Sequence, residues 1–127
     1  MVNYYMVNEI SNEFTILCDN HEQLTNIYNK YFNGKDINCC KIRSMNENMI
    51  IAWIYSVNMP LIELPQEILQ NYNQVWIKLQ WSCESGKNGI CVGGYKSNIY
   101  YPYKVFDYDD LCIEERNMYL NKRQKIV

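Results

Sequence analysis

EFTILCD, residues 13–19, sets Phe14, Ile16 and Cys18 against Thr15, Leu17 and Asp19. Apolar side chains on both sides of a period-two pattern predict a strand buried on both faces. Asn20 ends the run. From there NHEQLTNIYNKYFNG brings Leu24, Ile27, Tyr28, Tyr31 and Phe32 to positions i, i+3, i+4, i+7 and i+8, which is one continuous helix face. Asp19 or Asn20 is placed to cap its start, and Gly34 stands where a left-handed residue closes a helix.

Two short apolar runs follow, Ile37 to Ile42 and Met49 to Val57, separated by SMNEN. They predict two strands, or one strand and an irregular connection. LPQEILQNYNQ then predicts a second helix, with Pro65 in its first turn and Ile68, Leu69 and Tyr72 on one face. The stretch 74–83 alternates Val75, Ile77, Leu79, Trp81 and Cys83 with Trp76, Lys78, Gln80 and Ser82, a strand with one core face and one wetter face.

ESGKNG, with Gly86 and Gly89, joins that strand to ICVGGYK, and the simplest product is an antiparallel hairpin. A phosphate-cradling loop would instead run through its glycines into a helix N-terminus, and the G-x-x-x-x-G-K-[ST] pattern is absent. Gly93-Gly94 lie inside the returning strand and predict a bulge or a close approach. NIYYPYKVF, residues 98–106, is a further strand carrying Tyr100, Tyr101 and Tyr103, and Pro102 places it at a sheet edge. DYDDLCIEERNMYLNKRQK closes the chain as a helix, acidic at its start and basic at its end, which suits the helix dipole.

Composition narrows the classes of function. With 127 residues, 48% hydrophobic and 20% charged, the chain has room for one core, so residues 1–127 read as a single domain. No repeat, low-complexity tract or linker divides it. A net charge of −2 supplies no global field for nucleic acid. No apolar run reaches the ~18 to 20 residues of a membrane span, and MVNYYMVNEIS lacks the basic and apolar regions of a signal peptide, which predicts a cytoplasmic protein. The bias toward Asn, Ile, Lys and Tyr matches an AT-rich genome, that of a low-GC bacterium or its phage.

Candidate chemistry is sparse. Six cysteines, at 18, 39, 40, 83, 91 and 112, form no C-x-x-C pair and meet a single histidine, His21. Buried free thiols are the plainer reading of them than a disulfide framework, a zinc site or a redox pair at Cys39-Cys40 or Cys83/Cys91. His21 falls in the first turn of the first helix, where a solvated side chain is commoner than a general base. The carboxylates of Asp107, Asp109 and Asp110 are explained by helix capping. No catalytic residue, metal or cofactor is assigned, and the chain is read as a non-enzyme.

A strand, a helix, a strand, then a helix and two strands fit an α+β fold, a small ferredoxin-like antiparallel sheet with two helices packed on one face and a C-terminal helix. NEFTILCDNHEQLTNIYNKY and LPQEILQNYNQVWIKLQWSCESGKNGICVGGYKSN resemble the YubB-like ferredoxin-like family of phage and plasmid accessory proteins. In that family a proline-led helix precedes a strand like WIKLQW, an acidic residue matched here by Glu84, and a glycine-rich return matched by Gly93-Gly94. The segment 38–60 is shorter than the family's tryptophan-containing insertion, of which Trp53 is the counterpart. The resemblance implies a mobile-element origin and a fold, without residue-level chemistry.

What remains is a surface. Tyr100, Tyr101 and Tyr103 directly precede Asp107, Asp109, Asp110, Glu114 and Glu115. Tyrosines make low-entropy interface anchors, and carboxylates meet the Arg and Lys of a nucleic-acid-binding partner. Core packing of an edge strand is the plainer role for the tyrosines. The expected function is that of a phage or mobile-element protein that binds and inhibits a host defence complex, anti-CRISPR-like, by occupying its basic nucleic-acid groove. The alternatives are a single-stranded nucleic-acid-binding module using Trp76, Tyr100 and Lys78, and a small-ligand binder or enzyme.

Overall fold

A computed structural model of the chain describes residues 9–33 and 40–107. Six strands occupy most of them: β1 (Glu9–Cys18), β2 (Cys40–Met45), β3 (Met49–Val57), β4 (Val75–Cys83), β5 (Asn88–Lys96) and β6 (Ile99–Asp107). They form one sheet in the order β2-β3-β1-β4-β5-β6, and every neighbouring pair is antiparallel. The helices are short, α1 (His21–Ile27) with a wider π-type turn over Tyr28–Phe32, and α2 (Glu63–Asn71).

The first strand organises the sheet because it pairs on both sides. Ile10, Asn12, Phe14 and Ile16 stand opposite Cys83, Trp81, Leu79 and Ile77 of β4 and opposite Ser56, Ile54, Ala52 and Ile50 of β3. These rows face the helices and, with Leu24, Ile27, Phe32 and Ile68, make the main hydrophobic core. Burying each such Ile, Leu or Phe contributes roughly 1.5–3 kcal/mol against conformational entropy.

Asn20 caps α1, its Oδ1 accepting from the Gln23 N–H at 2.9 Å. The wider turn that follows carries Phe32 into the core, where its ring meets Phe14 edge-on with centroids 5.8 Å apart. The second helix begins differently. Ile62, the residue before it, supplies no side-chain cap. Two hydrogen bonds from the sheet fasten the start instead: the Leu61 N–H donates to Asn12 Oδ1 at 3.0 Å, and the Tyr103 hydroxyl donates to the Ile62 carbonyl at 2.5 Å. Asn12 is fully buried and its Nδ2 donates to Ile54 O at 3.0 Å and to Ser56 Oγ at 2.9 Å.

Two expectations are corrected here. The described residues do not form the small ferredoxin-like α+β fold: they make a six-stranded antiparallel sheet with two short helices, 56% strand against 23% helix among the described residues. The physical reason lies in strand pairing: β2 and β3 form two separate strands on one side of β1, and β4, β5 and β6 continue the sheet on the other, so helices of 7 and 9 residues are left as a minor part. Ser97 and Asn98, at φ 52° and 65°, make the tight turn that lets β6 fold back on β5. Asp107, read as the start of a closing helix, is the last residue of β6, and the rest of that helix lies outside the described residues.

The second correction concerns β4. Its supposedly wetter face is closed at Trp76 and Lys78, only 8% and 5% exposed, and opens at Gln80 and Ser82. On the same side Glu13 is buried, and its Oε2 accepts from Trp53 Nε1 at 2.6 Å and from Arg43 at 3.2 Å. The strand predicted to be buried on both faces is therefore joined by a neighbour buried on both faces from Val75 to Leu79.

Candidate functional site

The β5–β6 hairpin carries the tyrosines singled out by the sequence. Tyr95 and Tyr100 are direct cross-strand partners, with ring centroids 5.1 Å apart and tilted by 51°. Cross-strand aromatic pairs of this kind stabilise a hairpin by roughly 0.2–1 kcal/mol, so the rings are held in place before any partner arrives. Tyr100 remains 58% exposed, Tyr101 43% and Tyr95 39%. Ile99 is exposed beside them, and Lys96 on the neighbouring strand lays its ammonium 4.5 Å from the centroid of the Trp76 ring.

Tyr103 is different. Val92 pairs with Lys104 and Gly94 with Tyr101, so Pro102 and Tyr103 together oppose the single residue Gly93, which is a β-bulge. The backbone of Tyr103 comes so close that a Cβ on Gly93 would lie 2.6 Å from Tyr103 Cα, which is why glycine is required there. Half-buried in the bulge, Tyr103 packs against the core and reaches Ile62. Desolvation, followed by the neighbouring Cys91, raises the pKa of its hydroxyl.

Of the acidic residues in the predicted surface, Asp107 lies among the described residues. Asp107 is exposed at the far end of β6, seven residues from Tyr100, or about 23 Å at the usual strand rise. Asp109, Asp110, Glu114 and Glu115 lie outside the described residues. Along β6 the chain thus offers a rail, with tyrosines at the turn and a carboxylate at the other end. Tyr95 was missed in the sequence because its partnership with Tyr100 appears only once the hairpin register is fixed.

Pro102 decides how that rail can be used. An edge strand normally presents unpaired N–H and C=O groups to any passing strand, and a proline within a bulge interrupts that template. Side chains, not added strands, are the natural means of contact here.

Elsewhere the chemistry is thin. His21 is exposed, its Nδ1 lying 3.4 Å from the Glu47 carbonyl. Cys18 donates to Asn20 O and accepts from Gln23 Nε2, and Cys40 donates to Phe32 O. Cys18, Cys83 and Cys91 are free thiols, and Cys91 stands opposite Leu79, four residues along β4 from Cys83. Burial pushes the Cys91 thiol up to about 11, far from nucleophilic readiness. Cys39 and Cys112 lie outside the described residues. Among the described residues no group of three His, Cys, Asp or Glu could hold a metal ion, and no helix is long and apolar enough to cross a membrane.

No family model, curated protein or solved structure matches this chain.

Proposed function

We propose that the chain is a non-enzymatic binding protein that docks on a host protein or ribonucleoprotein along β6, with Tyr95, Tyr100 and Tyr101 as anchors. One observation carries the reading: Tyr95 and Tyr100 stay exposed as a cross-strand ring pair that the hairpin register already holds still, and Tyr101, opposite Gly94, is exposed beside them on the other face of the strand. Tyrosine loses little rotamer entropy on binding, and a preordered one loses less, so the patch has the makings of an interface centre.

The partner is proposed to be a defence complex of the host, inhibited in an anti-CRISPR-like way. Support comes from the resemblance to a mobile-element family and from the shape of the rail. A surface that puts aromatics and a carboxylate on the order of 23 Å apart along one bulged edge strand suits an elongated groove of the kind that holds nucleic acid. The sheet-face version of nucleic-acid binding is the weaker reading, because Trp76 and Lys78 are buried and cannot stack on or pair with a strand.

The test is an affinity pull-down from lysate of a low-GC bacterial host, read by mass spectrometry. The parent chain is compared with a Tyr100→Ser/Tyr101→Ser variant and with an Asp107→Asn/Asp109→Asn/Asp110→Asn variant. A nuclease-containing complex captured by the parent and lost with the tyrosine variant supports the proposal. Loss with the acidic variant extends the interface to the far end of the rail. An empty capture by the parent, or capture indifferent to both variants, overturns it.

A further inference from the structure

The start of α2 and the bulge of β6 share a fastening. Ile62 has no side-chain cap, and the Leu64 N–H reaches only back to the Leu61 carbonyl, at 3.3 Å. Pro65, in the first turn, contributes no N–H at all. Among the described residues, Asn12 and Tyr103 supply tertiary hydrogen bonds to this turn. Asn12 belongs to β1, paired on both sides, whereas Tyr103 belongs to a strand that, among the described residues, pairs with β5 alone. Of the two fastenings, the one at the edge is the one that can open.

The same residue fixes the edge itself. Pro102 and Tyr103 occupy the bulge opposite Gly93, and the contact there is too tight for any side chain at position 93. A bulge sets which way the following residues face, since a slip of one residue turns each of them to the other side of the sheet. Holding Tyr103 therefore holds the placement of Tyr101 before it and Lys104 after it.

We propose that Tyr103 is the positioning residue of the hairpin surface, joining β6 and the first turn of α2 into one unit that opens and closes together. The unit rests on the reading of the hairpin as a docking surface for its use, but the coupling itself belongs to the free protein. A partner that grips Tyr100 and Tyr101 then also orders the start of α2, and a change at that helix start alters the presentation of the tyrosines. Regions of this kind, with local opening well below the global unfolding free energy, are where binding surfaces are commonly placed.

The experiment is hydrogen–deuterium exchange of the full chain, free in solution, comparing the parent with Tyr103→Phe. This variant keeps the ring in the core and removes only the hydroxyl. The expected result is exchange about tenfold faster both in 99–107 and in 63–68, with β1, β3 and β4 unchanged. Near-ultraviolet circular dichroism, sensitive to the Tyr95–Tyr100 pair, shifts in parallel. Gly93→Ala, which pushes the bulge from the other side, is expected to speed exchange in the same two segments. Faster exchange in one segment without the other overturns the coupling, as does a uniform change across the sheet or none. Because no partner is present, failure here is distinct from failure of the pull-down.

Discussion

Asn12 offers the sharpest check on how the sheet holds its helices. It is fully buried, between the core-facing residues Ile10 and Phe14 of β1. Its amide donates to Ile54 O at 3.0 Å and to Ser56 Oγ at 2.9 Å, and its carbonyl accepts from the Leu61 N–H at 3.0 Å. A fourth contact, to Ile10 O at 3.5 Å, is too long to count. At about 1 kcal/mol net for each of the three good bonds, Asn12→Ala is expected to destabilise by about 3 kcal/mol. With a urea slope of about 1.5 kcal/mol/M, the midpoint falls by about 2 M. Urea unfolding followed by tryptophan fluorescence reads this directly. A loss below about 1 kcal/mol would refute the claim that Asn12 pins the connection into α2. Asn12→Asp adds a second arm. The introduced carboxyl keeps the acceptor for Leu61 but is buried without its two donations, so its folded pKa lies above the unfolded value of about 3.9. Its contribution is then present below about pH 4 and lost as pH rises through the folded value, and this variant should recover relative to Asn12→Ala on acidification.

Two further predictions concern β6 and its neighbour. Pro102→Val restores a backbone donor to the edge and should produce concentration-dependent self-association relative to the parent chain in light scattering; an unchanged mass at high concentration would count against the role given to the proline. Cys91, with its thiol pushed up to about 11 by burial, should resist a thiol reagent at pH 8 until urea unfolds the chain. The raised value also means that the folded state holds its proton more tightly. Stability is then fully present below about pH 9 and falls as pH climbs toward about 11, with Tyr103 acting in the same direction. A flat alkaline profile in a pH series of urea melts would contradict this.

How much of this could be read from the chain depends on the range of the interaction that decides each feature. Local signals were legible. The apolar run from Met49 to Val57 is β3 residue for residue, and Asn20 caps α1. Pro102 marks an edge strand, and Gly93 marks a bulge. Features set by long-range contact were not. Nothing local in VWIKLQWSC says that Lys78 and Trp76 are buried, because burial there depends on what the folded chain brings over the sheet. The fold class failed at the same point. DYDD is good helix-start chemistry, yet Asp107 completes a strand because Ser97 and Asn98 turn β6 back along β5. Among the candidate site residues, Tyr100 and Tyr101 stand on the surface, Tyr103 turns inward at the bulge, and Asp107 sits at the opposite end of the strand. Adjacent in sequence, these residues are spread by the geometry of an extended strand, and a linear reading had gathered them into one patch.

The measurement that bears most directly on the central claim is the capture experiment with the Tyr100→Ser/Tyr101→Ser variant, run beside a thermal melt of the same protein. Both side chains are exposed, so the melt should move by no more than a few degrees, as for ordinary surface substitutions. The account predicts an unshifted melt together with loss of a nuclease-containing complex that the parent chain retains. Retention of that complex by the folded variant would contradict it.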